Sequence, residues 1–477
     1  MVSRRKPSVP DQPQDDPKII LSGLYSPVGF THFRTSEWAA LGFRICIEKY
    51  DMPELEEFDP FLWRASFWDG YQTLYIARSR KNDDSAIAGV LNNVNSNPNE
   101  KHAVSERRAI KWFACASRVF YERLVKSTLS RFAPRLPPWQ WNYGEDRQLD
   151  KLCEKEWWKS QRQSVSKGAL FGALIGDAAG ATLEFLGRAP TAQECNDALQ
   201  MRGGGVWGTA PGQITDDGEL TLCLAQAISG KDYYDAEGVA VKYIEWYASQ
   251  PFDIGIATRT AFSVHVGKGL SVSDVMRNAA LRNARSKANG ALMRATPLGI
   301  WGHRLSSAAL RQAAFTDTAL SHPNISCQYA TAAYVAALST LVNWPGDAEF
   351  AIDCAQSQLN HNDAQEVAAW LDEALANKNC GYYPQAGFVR YAFTHAFRHL
   401  NNGTSYIDAI RETLLGGGDT DTNACIVGGL VGALHGYEGI PDQMKVALLQ
   451  CNTRNGNPRP DWLTTRSLVT LAESLVN

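Results

Sequence analysis

The chain has 477 residues, 44% of them apolar and 20% charged, with a net charge of −3. That balance fits a globular protein of two or more domains and excludes a chain that is disordered throughout. It gives no reason to expect nucleic acid or a membrane surface as the main partner.

Residues 1–18 are polar, contain Pro7, Pro10, Pro13 and Pro17, and lack an apolar stretch. They predict a disordered arm and not a secretory signal. Residues 19–160 predict a smaller, mostly helical, aromatic-rich domain. Eight of the fourteen tryptophans fall there, at 38, 63, 68, 112, 139, 141, 157 and 158. Core packing is their default reading, with a binding surface as the alternative. Trp38, Leu41, Ile45 and Glu48 have helical spacing, and so does the Gly- and Pro-free run from Ser105 to Phe132. Asn92 to Asn99 is a polar loop. The segment Ala133 to Pro138 breaks structure shortly before the expected boundary, which lies between Asp146 and Ser166.

Residues 161–477 predict a large all-α domain. Helical runs are expected over 168–180, 219–229, 236–249, 272–282, 306–319, 327–341, 348–357, 363–376, 404–414 and 422–436. Gly168, Gly172, Gly176 and Gly180 recur every four residues, which on a helix makes one flat stripe suited to close packing. The apolar run Gly168 to Phe185 is interrupted by Asp177 and Glu184, which argues against a membrane span. The ten cysteines show no Cys-x-x-Cys spacing. They predict reduced core residues in a cytoplasmic protein.

Two segments concentrate acidic oxygens next to a helix start. One is Pro211-Gly212-Gln213-Ile214-Thr215-Asp216-Asp217, and the other is Gly416-Gly417-Gly418-Asp419-Thr420-Asp421-Thr422. A helix dipole favours carboxylates there, and an all-oxygen donor set suits hard cations such as Mg²⁺ or Mn²⁺. The bland reading is that each segment is a simple helix cap. A calcium loop at Asp419 fails, because Ala424 and Leu430 stand where the turn glycine and the final glutamate belong. A phosphate loop fails for want of Gly-Lys-Ser/Thr after the glycines. His395 and His399 have a spacing that could hold zinc, but Ala396 replaces the needed glutamate and a core role is expected. Arg294 suits either a phosphate contact or a buried ion pair.

From about residue 166 onward the chain resembles the ADP-ribosylglycohydrolase family. Four blocks carry the resemblance in order: Gly168 to Asp177 with Glu184-Phe185, Pro211 to Asp217, Asn289 to Arg294, and Gly416 to Thr422. The resemblance implies an all-α fold and two divalent cations, Mg²⁺ or Mn²⁺, in a binuclear centre. Carried over residue by residue, Thr215, Asp216, Asp217, Asp419, Asp421 and Thr422 would be the metal ligands. Asp217 and Glu184 would be catalytic. Ser286, Asn289, Gly290 and His322 would contact ADP-ribose, and Gly416, Gly417 and Gly418 its pyrophosphate. Gly218 departs from the family pattern, which often has threonine after the two aspartates. The implied activity is hydrolysis of the N- or O-glycosidic bond between ADP-ribose and a protein side chain, arginine favoured. The implied partner is an ADP-ribosylated protein. The alternative is an immunity protein that blocks a cognate ADP-ribosyltransferase toxin through its N-terminal region, with or without hydrolysis.

Overall fold

The computed structural model describes residues 155–477 and, before them, three short strands. The chain divides into two compact units, Met1–Trp158 and Lys159–Asn477.

In the first unit, β1 (Arg44–Lys49), β2 (Trp63–Trp68) and β3 (Thr73–Ala77) form an antiparallel sheet in that order. Cys46 pairs with Ser66, and Ser66 with Tyr75. This corrects the helix expected across Ile45 and Glu48. Ile45 and Ile47 are β-branched and alternate with their neighbours, so the segment satisfies strand spacing as well as helix spacing. Strand partners decide between the two, and they are invisible to a local pattern. The arm over 1–18, the loop over 92–99 and the helix over 105–132 lie outside the described residues.

The second unit is helical. In chain order its helices are α1 (Lys155–Gly180), α2 (Ala192–Ala198), α3 (Asp216–Ile228), α4 (Ala236–Ala248), α5 (Ile256–Phe262), α6 (Val272–Ala280), α7 (Thr296–Trp301) and α8 (Ser307–Ala319). They continue with α9 (Ile325–Asn343), α10 (Ala348–Gln358), α11 (Gln365–Leu375), α12 (Val389–Asn402), α13 (Tyr406–Gly416), α14 (Thr420–His435), α15 (Asp442–Leu449) and α16 (Leu468–Ser474). Between residues 155 and 477 the only β-pairing is two isolated bridges, Gly204 with Thr209 and Ala288 with Phe388. Each of the ten expected helical runs corresponds to a helix.

Three central helices are buried on almost every side, and α9 and the part of α14 after its first turn are apolar almost all round, as such burial requires. In α9 every residue from Tyr329 to Val342 is buried. That helix is long and apolar enough to cross a membrane, and here it is the core of the domain. From Thr420 to Ala433 α14 is buried without interruption, and α3 is buried from Asp216 to Ala225.

Helices α1 and α14 meet backbone to backbone. A Cβ on Gly168 would overlap the carbonyl oxygen of Gly432, one on Gly172 that of Gly428, and one on Gly176 that of Ala424. A Cβ on Gly180 would overlap the backbone of Thr420 and Asp421. The four-residue stripe on α1 thus meets a four-residue stripe on α14, running the opposite way. Tyr406 clamps the pair through a 2.8 Å hydrogen bond from its hydroxyl to the Gly172 carbonyl. The stripe places the C-terminal end of α1 directly against the N-terminal turn of α14.

Candidate active site

Asp216, Asp217 and Asp421 lie inside the first helical turns, and Asp419 stands immediately ahead of one. Thr215 is the N-cap of α3 and Asp419 that of α14, yet neither makes a side-chain capping bond. Simple capping therefore does not account for either residue. Their side chains are directed elsewhere.

Asp177, from α1, organises the start of α3. Its carboxylate accepts hydrogen bonds from the Thr215 amide at 3.0 Å, the Thr215 hydroxyl at 2.7 Å and the Gly218 amide at 2.8 Å. A Cβ at Gly218 would crowd both Asp177 Oδ2 and Ile214. The glycine that departs from the family pattern therefore lets this carboxylate sit close over the helix start. On the opposite side, Asn289 Nδ2 donates to Asp419 Oδ2 at 2.8 Å, while the Asn289 amide is held by the Gly387 carbonyl at 3.0 Å. Asn289 thus steadies an acid of the cluster, and in this position it is not a helix cap.

Asp177, Asp217 and Asp421 bring one oxygen each within 4.8 Å of one another, and all three are buried. Glu184, Asp253 and Asp421 form a second such group, with Glu184 and Asp253 partly exposed. None of the ion pairs among the described residues involves these carboxylates. Burial, reinforced by repulsion from neighbouring acids, pushes Asp216, Asp217 and Asp421 well above the usual carboxylate range. Burial raises Asp177 to about 7, and burial with repulsion from Asp253 raises Glu184 to about 8. Asp253 is pushed up to about 6 by burial and by Asp419.

So many crowded acids are costly unless protons or cations neutralise them. Asp217 Oδ1 is buried without a hydrogen-bond partner, an oxygen left free for a cation. The donors are all oxygens, as hard divalent cations require. The residues fit a divalent-cation site.

All of these acids except Asp177 line one cleft of about 830 Å³. Glu184, Asp216, Asp217, Ser286, Asn289, Gly290, His322, Gly418, Asp419, Asp421 and Thr422 lie on its wall, as does Asp253. Thr215 lies just behind the wall, with its hydroxyl 3.4 Å from Asp217 Oδ2. The glycine triplet divides. Gly418, with φ +75°, reaches the wall, and its amide donates to the Tyr383 hydroxyl at 2.9 Å. Gly416 lies off the wall, where any Cβ would collide with the Tyr382 ring. Gly417, with φ +72°, faces Ala189 and Pro190.

His322 is buried beside Gly290, and burial lowers its pKa to about 3, so its ring is neutral. Arg294 is wholly buried and pairs with Asp317 at 3.1 Å, which selects the ion-pair reading over a phosphate contact. His395 stacks on Tyr382 at 4.2 Å and is buried, as is His399, so both are core residues.

Sequence reasoning assigns no role to two members of the constellation. Asp177 stands out there as an acid interrupting an apolar run and as the end of the first family block, with no function given to it. Asp253 is a single loop acid with no local signal, and tertiary structure alone brings it to the cleft.

The ADP-ribosylglycohydrolase family profile matches residues 159–477. A protein of Acanthamoeba polyphaga mimivirus, named for ADP-ribosyl glycohydrolase activity, is 30% identical over 316 residues, 60% of this chain and 91% of that one. The ADP-ribosylarginine hydrolase Tri1 of Pseudomonas putida is 26% identical over 64% of this chain and 81% of its own. The ADP-ribosyl-[dinitrogen reductase] glycohydrolase of Rhodospirillum rubrum is 27% identical over 57% and 86%. A solved structure of an ADP-ribosylglycohydrolase-related protein complex is 24% identical, with a TM-score of 0.49 over 66% of this chain and 98% of that one. With the profile spanning the entire helical unit and its acid-lined cleft, the chain belongs to the ADP-ribosylglycohydrolase family of glycosidic-bond hydrolases.

Proposed function

We propose that the helical unit removes ADP-ribose from a modified arginine side chain, with two divalent cations, Mg²⁺ or Mn²⁺, held by Thr215, Asp216, Asp217, Asp419, Asp421 and Thr422. The observation that carries this reading is the meeting of two uncapped helix starts at one cleft, each turning its acids inward. Relatives named for ADP-ribosylarginine and for ADP-ribosyl-dinitrogen reductase support the substrate class. The partly exposed pair Glu184 and Asp253 favours arginine among acceptors. An arginine acceptor brings several N–H donors that two carboxyl groups there can accept, whereas an ADP-ribosylated serine oxygen brings none.

When bound, the cations supply Lewis-acid orientation of the ribose hydroxyls and acidify a water. The chain's own residues do the rest. Asp217 or Glu184 accepts the proton of the attacking water as the glycosidic bond breaks through an oxocarbenium-like state. Where Asp217 takes the water's proton, Glu184, whose pKa is raised to about 8 by burial, starts protonated and gives its own proton to the leaving nitrogen; where Glu184 starts ionised and takes the water's proton, that proton passes on to the nitrogen. Ser286, Gly290 and the neutral His322 form the wall against which the ADP-ribose lies. Gly418, just ahead of α14, is the triplet member assigned to the pyrophosphate, a reading supported by its being the one of the three that lines the cleft.

The test is ADP-ribose release from arginine- and serine-modified proteins, with and without chelator. Release from the arginine substrate, lost on chelation and restored by Mg²⁺ or Mn²⁺, is the expected result. Release that survives chelation overturns the metal assignment, and release from serine alone overturns the acceptor.

A further inference from the structure

Glu184 stands at an unusual point of the backbone. The residue after it, Phe185, has φ +60° and is 64% exposed. A bulky side chain in the left-handed region is strained, and such a turn persists only when its surroundings hold it. The support comes from Trp207. Its indole Nε1–H donates to Glu184 Oε2 at 2.8 Å, and its ring packs edge-on against Phe185 at 5.9 Å and Phe252 at 6.0 Å. An indole nitrogen can only donate, so the bond has one polarity and one geometry.

Trp207 is itself tightly placed. It sits in a short turn closed by Gly204 and Thr209, which exchange backbone hydrogen bonds at 2.9 and 3.0 Å. Its carbonyl accepts from Asn457 Nδ2 at 2.8 Å. Asn457 is in turn tied to Gln213 through bonds of 2.6 and 3.1 Å, and Gln213 is two residues from Thr215. The turn, the C-terminal segment and the start of α3 form one hydrogen-bonded unit. Arg459 anchors that C-terminal segment to α3, pairing with buried Glu219 at 2.7 Å.

We propose that Trp207 is a positioning residue for the hydrolytic reaction: its indole N–H fixes one oxygen of Glu184 and leaves the other turned to the acid cluster. The inference rests on the proposed hydrolase reading and deepens it. It separates two jobs on one carboxylate, since the oxygen held by Trp207 sets direction and the free oxygen handles the proton. The C-terminal segment around Asn457 then acts on Glu184 at one remove.

Trp207→Phe keeps an aromatic ring and deletes only the N–H. We expect kcat to fall about tenfold or more, as misplacing a catalytic group does, with KM changed less than about twofold. In a Glu184→Ala background the same substitution should cost nothing further, because its effect runs through Glu184. A packing role alone would instead lower the melting temperature and give additive losses, and that outcome overturns the proposal. A second measurement needs no turnover. In ¹⁵N-labelled protein, the indole resonance that disappears in Trp207→Phe should shift in Glu184→Ala. An unmoved resonance overturns the contact. If the wild-type protein releases no ADP-ribose from any substrate, the hydrolase reading fails, and the indole shift still decides whether Trp207 holds Glu184.

Discussion

Helix starts in this domain come in two kinds built from the same residue types. Thr191, Asp235, Ser271, Ser306, Asn324 and Ser405 each turn a side-chain oxygen back onto a free backbone amide of their own helix. Thr215 and Asp419 occupy the same position on α3 and α14 and do not. At Thr215 the hydroxyl donates to Asp177, and at Asp419 the carboxylate accepts from Asn289. A cap contributes about 1 kcal/mol to its helix. Ser467 also makes no cap bond, but there α16 continues directly from a 3-10 turn over Thr465–Ser467. At α3 and α14 the fold forgoes that gain at free-standing starts, and both of those face the acid-lined cleft. A Ser, Thr, Asp or Asn at a helix start thus says little by itself, and where its oxygen points says a good deal.

The contrast can be broken most forcefully at the acids. Asp217→Ala and Asp421→Ala should each reduce ADP-ribose release to background, and wild-type-like turnover in either would defeat the mechanism. Asn289→Ala should be milder. It removes the partner that orients Asp419, and loss of such an orienting group typically costs about 10–100-fold in metal affinity or activity. Titrating Mn²⁺ into the variant measures it directly.

Gly172→Ala tests the frame behind the site. Its Cβ would meet the Gly428 backbone, and overpacking of this kind should cost about 3 kcal/mol or more, read as a lower denaturation midpoint. A neutral result would mean that α1 and α14 can separate without penalty.

The metal-free protein should also respond to pH in a particular sense. Asp177 at about 7 and Glu184 at about 8 bind protons more tightly when folded than in the unfolded chain, where carboxyls titrate near about 4. The stabilisation from these groups is complete below that unfolded value and is lost as pH rises through about 7–8. Melting temperature without metal should therefore fall across that interval, and the increment from added Mg²⁺ should grow. A metal-free melting temperature that rises with pH across the interval would sink this account.

The smallest effect sharpens the comparison best. Asp235→Ala, at an ordinary cap, should cost about 1 kcal/mol and leave turnover intact. Asp419→Ala should do the reverse, losing activity while the metal-free fold keeps its stability or gains some.

Much of the helical unit is legible in its sequence. Long amphipathic or apolar runs announce the larger helices, because two or more turns of periodicity leave a clear pattern. Helices α2, α5 and α7 have seven, seven and six residues, too few to show one. At β1, a six-residue run obeys two periods at once, and only its pairing with β2 settles the matter. In the site, the paired acids at 216–217 and 419–421 are legible because they are close in sequence. Asp253 and Trp207 are not, since each is a lone residue that loops carry into place, Asp253 to the cleft wall and Trp207 to Glu184. The glycine triplet suggests more than it delivers: Gly416 answers to the Tyr382 ring and not to the cleft.

The glycine stripe has a consequence for how the site tolerates change. Side chains normally act as compliant spacers between helices, and a slightly wrong one can be absorbed. Between α1 and α14 the spacer is absent over Gly168 to Gly180, a length of about 18 Å. The separation of Asp177 from Asp421 is thereby gauged by main chain against main chain, like two rulers laid edge to edge. Errors at the far end of the stripe have no cushion in which to dissipate. A saturation map of this chain should show intolerance returning at every fourth position of α1, with inactive variants well removed from any atom that touches substrate.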